Sequence, residues 1–159
     1  MNSFIRSLVI SAGIFASAST YAGASRIGNA YYEDIFPQTT CGGGNLCFES
    51  ATSATPSDTF LRMQHVYCSI VTAGSAPLQT MSIVITTGPA GGGTVIKQVP
   101  IGFPPPVSSA AGQNVYNLDH DILLATGPSR YISIVVVTTQ TATSIVMNCA
   151  ISGDLIPPP

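Results

Sequence analysis

Charge is the scarcest commodity in this chain. Asp, Glu, Lys and Arg together make up only 8% of its 159 residues, where an ordinary soluble domain carries about a quarter. The five basic side chains, Arg6, Arg26, Arg62, Lys97 and Arg130, are scattered. No basic stripe exists to neutralise a run of phosphates, so no nucleic-acid partner is expected. Attraction to an anionic membrane surface fails for the same reason. Tryptophan is absent and histidine occurs only twice, at His65 and His120. Beyond the N-terminus no apolar run is long enough to span a bilayer, which needs roughly 20 residues. The strongest later run, residues 132–137, stops at Thr138 and Thr139.

Several familiar chemistries are missing as well. The stretch CGGGNLC, residues 41–47, brackets glycines with two cysteines. A zinc knuckle wants C-x₂₋₄-C with further ligands nearby. A thioredoxin-like centre wants C-x-x-C. A phosphate loop wants G-K-[ST] after the glycines, and no lysine follows here. No G-x-S-x-G nucleophile elbow is present either.

What is present begins with an export pattern. Met1 and Arg6 precede an apolar stretch over residues 8–15, and Ala22-Gly23-Ala24 fits a small-x-small cleavage site. Residues 1–24 therefore read as a secretory signal peptide cut after Ala24. The apolar stretch is too short for a membrane anchor. A mature chain with no membrane span, secreted or periplasmic, is the expectation.

An oxidising compartment makes the four cysteines disulfide candidates. Cys41 and Cys47 flank flexible glycines, while Cys68 and Cys149 each lie in a strand-like stretch. Three pairings are possible. Cys41–Cys47 with Cys68–Cys149 is preferred because it joins loop with loop and core with core. On the chain-entropy account the short bridge contributes at most about 2 to 2.5 kcal/mol and the long one roughly 4.5 kcal/mol.

The 15 glycines, 12 prolines and abundant threonine and β-branched aliphatics favour strands joined by turns. Residues 25–37 suit a strand or an ordered arm, and residues 48–58 a loop. In residues 59–73, Val66, Cys68 and Ile70 alternate with His65, Tyr67 and Ser69. In residues 78–87, Met81, Ile83 and Ile85 alternate with Ser82, Val84 and Thr86. GPAGGG, residues 88–93, is a hairpin loop leading to a strand over 94–101, where Lys97 on the apolar side points to an edge or a register break. GFPPP, residues 102–106, is a polyproline-like crossover. Residues 115–124 suit a strand or a helical turn. Residues 130–139 and 143–156 are two further strands, and the proline tail 157–159 stops the last.

The fold class that follows is all-β: an antiparallel β-sandwich, jelly-roll or immunoglobulin-like, with six to eight strands and two disulfides. Its expected organisation is an arm with a pinned turn over residues 25–58 and a sandwich core over residues 59–156.

Candidate sites are sparse. Asp119 and Asp121 in LDHD would share a strand face and offer carboxylate oxygens to calcium, although a solvated turn before the apolar run 122–124 is the preferred reading of the segment. A histidine with a serine and Asp58, Asp119 or Asp121 would make a hydrolytic triad, and a pair of carboxylates a glycosidase, but no spacing selects either. For ligand stacking the candidates are Tyr31, Tyr32, Tyr67, Tyr116 and Tyr131, with residues 88–93 and 102–112 as loops. The expected function is a non-catalytic binding module for a glycan or an envelope protein, with no cofactor. The alternative is a structural subunit of a surface assembly whose N-terminal arm is exchanged, and a small secreted hydrolase comes third.

Overall fold

The structure is a computed structural model and describes residues 23–28 and 30–158. Most of the expected signal peptide, residues 1–22, lies outside the described residues, as does Pro159 of the tail; Gly23 and Ala24 open the first strand. Nine strands follow in order: β1 (Gly23–Ile27), β2 (Tyr31–Ile35), β3 (Thr39–Ser50), β4 (Phe60–Ala73), β5 (Leu78–Thr86), β6 (Val95–Ile101), β7 (Ser108–Ala110), β8 (Gln113–Thr126) and β9 (Tyr131–Ile156). All pairings are antiparallel. The expected all-β, doubly bridged, sandwich-like fold is what forms, with nine strands rather than six to eight.

Hydrogen bonding links the nine strands into one sheet, and β9 is the element that folds it over. Its 26 residues would run about 85 Å if straight, roughly twice the breadth of a domain this size. It therefore bends. Residues up to Thr138 pair with β5, and residues from Ile145 onward pair with β4. At the bend, β3 advances from Gly44 to Leu46 while β9 advances from Ala142 back to Val137. The N–H of Thr139 donates to the Pro77 carbonyl (2.9 Å) and the Thr138 hydroxyl to that of Gln140 (2.7 Å). The chain thus turns the corner with its polar groups engaged. This is why two strands, expected at 130–139 and 143–156, are one: TTQTAT lacks apolar alternation yet keeps an extended backbone.

Two layers result. The β5 layer holds β6, β5, the first part of β9 and the end of β3. The β4 layer holds β7, β8, β4, the rest of β9, β2 and β1. Met81, Ile83 and Ile134 from the first join Val66, Ile70 and Met147 from the second in one buried cluster. Complete burial of such a side chain contributes about 1.5–3 kcal/mol. Residues 25–58, expected as an arm ahead of the core, instead supply three strands, and Tyr32, Phe36, Cys47 and Ala51 lie within the core.

The bridges pin this architecture. Cys68 lies opposite Cys149 on adjacent strands, with Cα atoms 4.1 Å apart. The Cys41–Cys47 clip is no surface turn. Cys41 pairs with Ile145 in one layer and Cys47 with Val136 in the other. The bridge therefore clamps β3 where it crosses between layers, and Gly42–Gly44 supply the pliancy such a corner needs.

Expectations about β6 hold in both respects. Among the described residues it pairs only with β5, and its register slips between Ile85 and Thr86, beside Lys97. The undecided segment at 115–124 is strand β8.

Candidate binding face

A β-bulge decides what the outer face of the β4 layer presents. Leu61 and Met63 point into the core, and so do Val66, Cys68 and Ile70. The phase switches at Gln64, where the register of β4 slips against both β8 and β9. Without that extra residue, His65 and Tyr67 would share the inward phase of Leu61 and Met63. The bulge needs Gly153 opposite it, since a Cβ there would collide with the Arg62 carbonyl and lie 2.8 Å from Met63 Cα.

With His65 and Tyr67 turned outward, register aligns two rows across four strands. One row runs Glu33, Ser152, His65, Asp121, and the next Ile35, Ala150, Tyr67, Asp119. His65 Nε2 lies 2.9 Å from Asp119 Oδ1, and Nδ1 lies 3.2 Å from Asp121 Oδ1. Beside them, Asp154 Oδ2 accepts from Arg62 and from Gln64, each at 2.6 Å. A shallow depression of about 230 Å³ opens between β2, β9 and β4, lined by Glu33, His65, Tyr67, Ala150, Ile151 and Ser152. The Tyr67 side of this face is open, the residue being 44% exposed.

The two weak metal candidates, Asp119 and Asp121, do share a face, but an imidazole fills the space between them. Among the described residues, no three His, Cys, Asp or Glu side chains are grouped to hold a metal ion. Ser152, His65 and Asp121 fall in one row, yet both imidazole nitrogens already face carboxylates. Neither is free to take a proton from Ser152, as a triad requires.

The five candidate tyrosines do not gather. Tyr32 is in the core and its hydroxyl donates to Asp34 Oδ2 at 3.0 Å. Tyr116 is also buried; its hydroxyl accepts the N–H of Leu78 at 3.1 Å, and its ring meets Phe103 edge-on at 6.3 Å. Tyr131 lies opposite Thr86 in the β5 layer. Only Tyr31, opposite Asp154, shares the outer face with Tyr67. A second depression, about 410 Å³, wraps the β8 edge between Gly102–Pro104 and Asn117–His120, so the 102–112 crossover borders the same region. The 88–93 loop joins β5 to β6 in the other layer.

The carboxyls with raised proton affinity sit elsewhere. Asp34 and Glu49 are completely buried. Desolvation pushes Asp34 up to about 6, opposed by the hydrogen bond from Tyr32. It pushes Glu49 up to about 7, against the pull of the backbone N–H groups of Cys149 and Thr39. Neither Glu49 oxygen nor Asp34 Oδ1 closes a hydrogen bond of full geometry among the described residues. These two groups are sealed in the core, away from the open face.

Sequence reasoning missed Glu33, Ala150 and Ser152 as neighbours of Tyr67. The alternation of β9 places Ala150 and Ser152 opposite to Cys149 and Ile151, a signal that was present. Their partners across the sheet depend on register, which no local pattern encodes.

All four cysteines are paired, which fits an oxidising compartment. Among the described residues, no helix is long and apolar enough to cross a membrane. No protein family and no curated protein matches the chain. Among solved structures, it is similar to a chain described as "Structure of infectious bursal disease virus Gx strain", at 9% identity and a TM-score of 0.25. That likeness covers 98% of this chain and 47% of the viral one, and at this level it carries no argument.

Proposed function

We propose that this is an exported, non-catalytic binding module that holds a glycan on the outer face of its β4 layer. The observation that carries the reading is the half-exposed Tyr67 beside a shallow depression ringed by Glu33, His65 and Ser152. A pyranose ring lying on the tyrosine would turn its hydroxyls toward carboxylates and a serine, pairing an apolar surface with charge-assisted acceptors. The openness of the site suits a sugar at a chain end or along a polymer. Export through the N-terminal signal and residence in the periplasm or outside the cell complete the proposal.

A glycan array followed by calorimetry tests it. One glycan class should bind saturably, and Tyr67→Ala should weaken it at least tenfold. Because Tyr67 is a surface side chain, stability should change by no more than about 0.5 kcal/mol. Saturable binding that ignores Tyr67→Ala, or no glycan binding at all, would overturn the assignment.

A further inference from the structure

Strand β8 leaves much of one backbone edge unclaimed. Along one side it pairs with β4 from Gln113 to Thr126. Along the other, among the described residues, only β7 meets it, at Gln113–Val115. The bond nearest the open stretch runs from the Val107 N–H to the Val115 carbonyl (2.8 Å). The crossover of residues 102–106 does not pair with β8, and Pro104, Pro105 and Pro106 have no N–H to give. Between crossover and strand lies the depression of about 410 Å³, with Phe103, Pro104 and Leu118 as its apolar wall. Leu118 is buried, but His120, next on the same phase, is exposed, so the slot is open there. Alternate residues of a strand turn their backbone groups to the same side. With the Val115 carbonyl turned toward β7, those of Asn117, Asp119 and Asp121 face the open side.

We infer that the β8 edge from Tyr116 to Asp121 binds an extended peptide segment of another protein, which joins the sheet as a further strand and carries Lys or Arg at alternate positions. Two features select that occupant. A row of unpaired N–H and C=O groups is matched along its length by another extended backbone. The side chains flanking the row are acidic. Those of Asp119 and Asp121 are 72% and 99% exposed, and each meets His65 through Oδ1 alone. β8 itself carries no Lys or Arg. Basic residues on the outer phase of the incoming strand pair across it with these carboxylates, while the residue between them turns toward Phe103, Pro104 and Leu118. The same carboxylates turn away a second copy. β8 paired with itself across a two-fold sets Asp119 opposite Asp121, or each opposite its twin. β6 shows how an edge is guarded in this chain, since it carries Lys97 and Pro100. Residues 116–121 of β8 hold neither lysine nor proline. The inference does not rest on the glycan reading.

Calorimetry on the oxidised protein, expressed from the full reading frame, tests the pairing. The probe is a capped heptapeptide that alternates Val and Lys. It should bind one-to-one below millimolar concentration, and the same peptide with Glu in place of Lys should bind at least tenfold more weakly. Asp119→Asn combined with Asp121→Asn should weaken the lysine peptide at least fivefold. N-methylation separates strand addition from plain charge attraction. In an antiparallel strand, the residue opposite Asp119 turns its own N–H toward β8. Methylating the Lys amides should therefore abolish binding, and methylating the Val amides should leave it within twofold. Asn117→Pro, which removes one edge-facing N–H, should also abolish binding with an unchanged circular dichroism spectrum; the methylated peptides decide the matter should that variant fail to fold. Equal loss from both methylated sets, equal binding of the Glu peptide, or no binding at millimolar peptide would overturn the inference. So would a dimer of the unliganded protein that Asn117→Pro abolishes, because the edge would then belong to a second copy.

Discussion

The two outer faces of this molecule are made by the same device and differ in everything they offer a partner. Both are outward phases of antiparallel strands, and β9 contributes to each. Its first half turns out Ser133, Val135 and Val137, and its second half Ala150, Ser152 and Asp154. Inward, the two halves are alike: Ile132, Ile134 and Val136 against Met147, Cys149 and Ile151. Inward positions have one task, to fill a dry core, and aliphatic side chains are interchangeable there at modest cost. Outward positions are released from that task. Outward, Asp154 is the charged residue of β9, and Glu33, His65, Asp119 and Asp121 share its side of the β4 layer.

The largest effect should come from cutting the bridge beneath the charged face. Removing Cys68–Cys149 by a double Ala substitution should destabilise by roughly 4.5 kcal/mol, against about 2 kcal/mol for Cys41–Cys47, read from urea unfolding midpoints. The short bridge should have the more local consequence, loosening the corner of β3 and with it Phe48. If the two losses prove equal, loop length is not what separates them.

Next in size is a pH dependence that belongs to the interior and to neither face. Asp34 and Glu49 hold protons up to about 6 and 7 in the folded chain, and release them near 3.8 and 4.5 when unfolded. Stability is thus fully present below the unfolded values and is lost as pH rises through the folded ones. Each site is worth on the order of 3 kcal/mol. The melting temperature should be higher near pH 4.5 than at pH 8, and Asp34→Asn or Glu49→Gln should each flatten that slope. A melting curve that rises toward pH 8 would contradict the burial of these groups.

The smallest of the three changes in stability sharpens the comparison most. Gly153→Ala should cost about 2 kcal/mol through overpacking against the β4 bulge. Because the bulge sets the phase of His65 and Tyr67, glycan binding should fall with it. Full binding by Gly153→Ala would mean that the bulge does not set what this face presents.

Much of the fold was legible in local pattern. Alternation around Cys68 and Cys149 located two core strands, and the pairing of like contexts gave the disulfides; that the two strands are neighbours came from the register. Lys97 on an apolar phase marked the edge strand. What escaped was non-local. The bend in β9 keeps its hydrogen bonds through polar residues that read as a loop, and the β3 clip sits inside a strand because its glycines turn a corner. The bulge at Gln64 leaves no trace in composition. Tyr32 and Tyr116 looked as available as Tyr67, because a tyrosine's burial depends on what covers it.

By itself, the sequence determined the class of this protein: low charge, β-branched residues and period-two alternation suffice for stacked antiparallel strands, since each acts over a few residues. Only the tertiary structure decided which side chains meet. Glu33, His65, Tyr67 and Ser152 come from three strands far apart in the chain, and the buried carboxyls Asp34 and Glu49 from two more positions that no local pattern singled out. Their neighbours are set by register, a bulge and a bend, and those are settled by packing over the whole sheet rather than by any segment within it.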